Sequence, residues 1–303
     1  MQIQCNHISK NYHSFQALKD INFHVDSGAF FAMIGANGAG KSTLLDILTK
    51  RIPASQGTVL INNQDISKTD ANYFRDIGIV FQDHVLDDEL SIETNMMIRA
   101  QMHYKKAQAK ERVFEMLDFI GMREIAKRRY KQLSGGQKRK IDIAVTLLHY
   151  PKILFLDEPT TGVDVQSRQD IWKMIAQIRS EHQVTIFLTT HYLEEAEIAE
   201  QMILLNRGEI VAQGTPTELK QQFAKDTLLL VPKHPKALAS MLQSYAIPYT
   251  IDRGNYIISL AHAKESIRII EQADTFIETF EVKLGTLDDV FVHFIGEKGA
   301  ESL

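Results

Sequence analysis

A chain of 303 residues with a single cysteine, Cys5, forms no internal disulfide and builds no cysteine-ligated zinc site. Cys5 itself reads as a small core filler in the first strand. No stretch approaches the roughly 18 uninterrupted apolar residues of a membrane helix, so a membrane role is expected to come through a partner. The opening MQIQCNHISK lacks the basic-then-apolar pattern of a secretion signal, and the expected compartment is cytosolic. Nor is there a surplus of one charge: 34 Lys and Arg face 38 Asp and Glu, for a net charge of −4. That balance argues against a phosphate-backbone surface and against nucleic acid as a partner. What is present is 44% apolar residues, ample for a sizeable core.

Strand and helix patterns alternate from Ile3 to about Phe223. Phe30 to Ile34, Ile77 to Phe81, Ile153 to Leu156 and Val184 to Thr189 are apolar runs without polar alternation, as expected of parallel strands buried on both faces. Asn22 to Val25 and Gly57 to Ile61 read instead as exposed antiparallel pieces. Between about 91 and 149 the character turns helical. Ser91 with Thr94 opens one helix, Ala107 to Ile120 forms a second, and a third follows Gly135-Gly136. After Phe223 a βαββαβ rhythm begins, so residues 224–303 are expected to form a small α+β, ferredoxin-like domain beside an α/β domain over 1–223.

Gly35-Ala36-Asn37-Gly38-Ala39-Gly40-Lys41-Ser42-Thr43 follows a strand and opens a helix, the context that makes GxxxxGK[ST] a phosphate site. Its glycines let backbone N–H groups turn inward as a cradle, and the helix amino terminus adds roughly half a positive charge. Lys41 is then placed to reach the β- and γ-phosphates, and the Ser42 hydroxyl to coordinate Mg²⁺. The loop implies a nucleotide without saying which. Ile153 to Leu156 ends in Asp157-Glu158, beyond the carboxyl end of a buried strand where such sheets bind ligands. Asp157 is expected to hold Mg²⁺ and Glu158 to orient or deprotonate the attacking water.

Leu133-Ser134-Gly135-Gly136-Gln137 resembles the signature sequence of ABC ATPases, standing before the acidic strand as in that family. The residues themselves agree: Ser134 is a helix cap, and Gly135 and Gly136 expose N–H groups at a positive helix end. The resemblance implies a P-loop cassette with a mostly parallel core sheet, an antiparallel β-subdomain and a helical insert. It implies ATP as the nucleotide, closed between two chains so that Ser134 to Gln137 meet ATP held by the partner. It further implies that Tyr12 stacks on adenine, that Gln82 senses Mg²⁺ and the attacking water, that Gly162-Val163-Asp164 form the D-loop, and that His191 contacts the γ-phosphate. Departures are mild: Ala36 stands where proline is frequent, and Thr161 and Val163 where serine and leucine are commoner.

Gly285-Thr286-Leu287-Asp288-Asp289-Val290-Phe291 and Thr189 to Ala196 resemble cassettes of type-2 exporters of drugs, antibiotics and lipids. The expected function is therefore an ATPase subunit that drives export through a separate membrane permease, as a homodimer at the cytoplasmic face. The alternatives are a soluble translation or DNA-maintenance ATPase and a nucleotide-gated regulatory module. Met96, Met97 and Met102 read as core, or alternatively as a groove for a helix of the permease. Asp87, Asp88 and Glu89 read as a solvated loop, and Lys105, Lys106, Lys110, Arg112 and the run 127–131 as solvated helix faces.

Overall fold

The computed structural model describes residues 1–296, apart from the side chains of residues 71 and 72. The chain divides into one compact unit, Met1–Gln213, and a second that begins at Gly214. The expected tail of the second domain, 297–303, lies outside the described residues. No helix among the described residues is long and apolar enough to cross a membrane.

In the first unit, β1 (Ile3–Tyr12), β2 (Phe15–Val25), β4 (Gln56–Ile61) and β5 (Gln64–Asp65) form an antiparallel sheet in the order β2-β1-β4-β5. A second sheet has the order β10-β9-β3-β8-β7-β6. Its strands are β3 (Phe30–Ile34), β6 (Ile77–Val80), β7 (Ile153–Asp157), β8 (Thr185–Thr190), β9 (Gln201–Asn206) and β10 (Glu209–Gly214). The pairs β3 with β8, β3 with β9, β7 with β8 and β6 with β7 are parallel. Every residue of β3 and β8 is buried, which is why these strands read as unbroken apolar runs. Phe31 and Phe187 stack at 5.3 Å between ring centres, flanked by Phe23 and Phe155.

The antiparallel expectation for Asn22 to Val25 and Gly57 to Ile61 is met, but their exposure is not. Phe23, Val25, Val59 and Ile61 alternate inward and join the same core as Phe31 and Phe187. A pattern with period two leaves only the other face in water.

The helices of the first unit are α1 (Lys41–Leu48), α2 (Ile92–Ala100), α3 (Lys106–Phe119), α4 (Gly135–Leu147), α5 (Val165–His182) and the short α6 (Leu193–Ala196). Ser91 caps α2 by accepting from the Thr94 N–H at 3.1 Å, as its position predicts. Met96 is buried in the core, whereas Met102 is 70% exposed. Met102 lines a cleft of about 440 Å³ with Phe74, Val85, His103 and His149.

The second unit starts with α7 (Pro216–Phe223), then β11 (Asp226–Pro232), α8 (Pro235–Ser244), β12 (Thr250–Asp252), β13 (Asn255–Leu260), α9 (Glu265–Ala273), β14 (Ile277–Lys283) and α10 (Leu287–Ile295). Its sheet is antiparallel in the order β12-β13-β11-β14, the ferredoxin-like arrangement expected from the βαββαβ rhythm. The unit begins at Gly214, not after Phe223, because α7 packs on α10, with Phe223 edge-on to Phe294 at 4.7 Å.

Candidate functional site

The loop between β3 and α1 is shaped by three glycines with different tasks. A Cβ on Gly35 would lie 2.5 Å from the Leu205 carbonyl oxygen, and one on Gly40 2.8 Å from Leu18 Cδ2, so both positions need glycine for close approach. Gly38 has open space but a φ of 78°, which L side chains resist. Gly40 caps α1 without any side-chain bond, so the first N–H groups of α1 are offered to a ligand. Asn37 and Gly38 are exposed at the loop tip, Ser42 is exposed on the first turn and Thr43 is half-buried.

Lys41 is buried, and its Nζ donates to the Gly35 carbonyl at 2.6 Å. Burial pulls its pKa down, and the Glu158 and Asp157 carboxylates push it back up. Its Nζ stands 3.9 Å from Glu158 Oε1.

Asp157 ends β7, and Glu158 begins the loop beyond it. Burial raises the Asp157 pKa, against the Thr189 hydroxyl that donates to its Oδ1 at 2.5 Å. Glu158 adopts φ 44°, a left-handed conformation uncommon for this residue. Its N–H donates to the Thr189 carbonyl at 2.9 Å, which holds that conformation. The Glu158 carboxylate accepts from Thr161 Oγ1 at 3.2 Å and stands 3.1 Å from His191 Nδ1. Thr161, a departure from the commoner serine, thus supplies a hydroxyl to the Glu158 carboxylate.

The structure therefore brings Lys41, Asp157, Glu158 and His191 into one cluster at the ends of β3, β7 and β8. Oxygen donors on Ser42 and Asp157 suit a hard divalent cation, and a half-buried carboxylate whose charge is disfavoured is the group such a cation would relieve. Gln82 is exposed after β6. Tyr12 stands at the β1–β2 turn opposite Phe15, 42% exposed, with Lys10 Nζ 5.2 Å from its ring centre.

Ser134 to Gln137 form a separate group. Gln137 N–H donates to Ser134 Oγ at 3.3 Å, and Ser134 N–H donates to Gln137 Oε1 at 3.1 Å, a reciprocal cap on α4. Ser134 and Gly135 face solvent. Gly136 does not: a Cβ there would lie 2.2 Å from Ser167 Oγ on α5, so this glycine lets the two helices approach. Among the described residues, no hydrogen bond or ion pair joins Ser134–Gln137 to the loop 35–43.

The sequence did not single out Arg139, which is 2% exposed. From α4 its guanidinium donates to the carbonyls of Phe81 at 2.6 Å and Gln82 at 2.8 Å, and reaches that of Glu158 at 3.4 Å. One cation thus links the signature helix, the Gln82 segment and the Glu158 loop. Asp142, one turn on, accepts from Tyr130 at 2.6 Å and lies 2.5 Å from His84. The detectable signal was spacing, since Arg139 falls with Gly136 and Ile143 on the buried stripe of α4. The acidic loop is exposed, as expected, and carries surface ion pairs. Asp88 pairs with Lys138 at 2.8 Å and Glu89 with Lys131 at 2.7 Å, so these acids and the 127–131 run are partly spent on each other.

A P-loop α/β cassette with an acidic strand end is an NTP-hydrolysing module, and comparison with known proteins is specific. Residues 18–161 match the ABC transporter family, and residues 214–295 match the C-terminal domain of ATP-binding proteins like DrrA1-3. The doxorubicin resistance ATP-binding protein DrrA of Mycobacterium tuberculosis is 33% identical, over 96% of this chain and 93% of that protein. The linearmycin resistance ATP-binding protein LnrL of Bacillus subtilis is 35% identical, over 75% and 73% respectively. CbiO1 of Clostridium perfringens, part of the ABC transporter complex CbiONQ, superposes with a TM-score of 0.67 at 30% identity, covering 72% of this chain and 89% of that one. The cassette MJ0796, a dimer in a post-hydrolysis state with ADP and Pi, gives 0.64 at 27%, covering 70% and 98%. The chain belongs to the ATP-binding subunits of ABC transporters, in the type-2 branch that carries a DrrA-like C-terminal domain. It is an ATPase of that family.

Proposed function

We propose that the chain hydrolyses ATP with Mg²⁺ as one half of a cassette homodimer and so powers export of a drug-, antibiotic- or lipid-like molecule through a separate permease. The observation that carries the hydrolytic part is Glu158, held at φ 44° and in contact with both Lys41 and His191. A carboxylate one residue beyond the metal-binding Asp157 faces the γ-phosphate side, orients the attacking water and takes its proton. Lys41 leaves its Gly35 carbonyl for the β- and γ-phosphates, and His191 donates to a γ-phosphate oxygen. Bound Mg²⁺, held by Ser42, Asp157 and Gln82, would neutralise charge between the β- and γ-phosphates. Tyr12 stacks on adenine. Gly35, Asn37, Gly38, Gly40 and Thr43 form the rest of the cradle.

Ser134, Gly135, Gly136 and Gln137 serve ATP bound by the second copy, with Gly135 the member whose surroundings are open. The substrate class rests on the resistance relatives LnrL and DrrA, ATP-binding proteins for linearmycin and doxorubicin resistance. The cleft at Met102, Val85 and Phe74 suits an apolar helix of the permease, which would hold the chain at the cytoplasmic face. The test is Glu158→Gln in the assembled transporter. Turnover should fall at least about 100-fold while ATP binding persists, the range expected when a general base is lost. Full turnover in that variant would sink the assignment.

A further inference from the structure

The loop bearing Glu158 carries Thr160 and Thr161, the end of β8 just before His191 carries Thr189 and Thr190, and the four hydroxyls divide into two directions. Thr161 donates to Glu158 at 3.2 Å and Thr189 to Asp157 at 2.5 Å, both toward the nucleotide side. Their neighbours turn the other way: Thr160 and Thr190, buried like Thr189, both donate to Glu195. Thr160 bonds Glu195 Oε1, and Thr190 bonds Oε2 at 2.6 Å. Thr190 Oγ1 also accepts the Tyr192 N–H at 2.9 Å, which sets the turn around His191.

Glu195 is 3% exposed, although its neighbour Glu194 on the same short helix is exposed. A carboxylate is costly to bury, so the geometry must use both of its oxygens. They bridge Thr160, two residues after Glu158, to Thr190, one residue before His191. We propose that Glu195 is a positioning residue for hydrolysis: from behind the site, it fixes the separation of the two loops that bring His191 Nδ1 to 3.1 Å from Glu158. It touches neither nucleotide nor water itself. This inference rests on the hydrolytic roles proposed for Glu158 and His191.

The experiment is steady-state hydrolysis in the assembled transporter for Glu195→Gln and Glu195→Ala, with Glu194→Gln as control. Misplacing reacting groups by about 1 Å costs on the order of 100-fold, so kcat should fall about 10- to 100-fold in Glu195→Ala and less in Glu195→Gln. KM for ATP should stay within about twofold, and Glu194→Gln should match the parent. In a Glu158→Gln background, Glu195→Ala should lower the residual turnover no further, since the residue it positions is gone. If Glu195→Ala fails to fold, Thr160→Val and Thr190→Val each remove one tether and should show the same loss in kcat alone. Unchanged kcat, a parallel loss of ATP binding, or full additivity with Glu158→Gln would overturn the proposal. If Glu158→Gln itself retained full turnover, the hydrolytic reading would fail instead.

Discussion

The two compact units bury different things. The first seals Lys41, Arg139, Asp142, Thr160, Thr189, Thr190 and Glu195 away from water, whereas Ser266 is the one buried polar side chain of the second among the described residues. The second closes instead on Leu228, Leu230, Leu238, Leu242, Tyr256 and Ile258. An unsatisfied buried polar group costs about 1–3 kcal/mol, so a fold collects such groups only where geometry requires them and partners are supplied. In the first unit most of these groups are partnered at or just behind the ends of β3, β6, β7 and β8, the region proposed to hold the triphosphate. The interior of the second unit is organised for packing alone.

That contrast breaks most visibly at Arg139. Arg139→Met fills similar space but leaves the Phe81 and Gln82 carbonyls without their donor, at an expected cost of about 2–4 kcal/mol in all, from roughly 1–3 kcal/mol for each unsatisfied carbonyl. Leu242→Met in the second unit conserves volume in the same way and should cost under about 1.5 kcal/mol. Denaturant unfolding of both variants would measure the difference, and equal costs would erase the distinction between the two interiors.

A smaller effect is expected at Gly136. Gly136→Ala drives a methyl against Ser167 and should cost about 1–3 kcal/mol as overpacking does. Ser167→Gly in the same chain should recover most of that loss in a thermal melt. Absence of rescue would mean that the glycine serves something other than the approach of α4 to α5.

The smallest effect is acid sensitivity at His103 and His149, whose rings stack at 4.5 Å. Burial lowers both pKa values, with Arg75 adding to the effect at His103, while the His149 bond to the Ile77 carbonyl opposes it. The fold therefore favours the neutral rings. Their contribution is complete above about pH 6.5, the unfolded value, and is lost as pH falls through the depressed folded values. Tm should decline from about pH 7 to pH 5, and less steeply in His103→Phe. Parallel declines in the two proteins would remove this pair as the cause.

What could be read from the sequence was local. The phosphate loop lies in nine consecutive residues, and the acidic strand announces itself by an apolar run ending in two carboxylates. Gly136 illustrates a limit, because a glycine that exposes its backbone and one that admits a neighbouring helix look alike in one dimension. Arg139 was missed because its acceptors, Phe81 and Gln82, lie 58 and 57 residues away. Glu195 was missed for the same reason, with Thr160 at a distance of 35 residues. The last helix, α10, was legible and passed over. Thr286 and Asp289 form a capping box ahead of Val290 and Phe291, a pattern read only as a terminal motif.

The proposed homodimer requires that each chain hold two unlike halves of a nucleotide site and complete neither alone. The direct measurement is the mass in solution of the Glu158→Gln chain with and without ATP and Mg²⁺. One chain per particle without nucleotide and two chains enclosing ATP with it is the predicted result. A single chain that encloses ATP and stays monomeric would contradict the account.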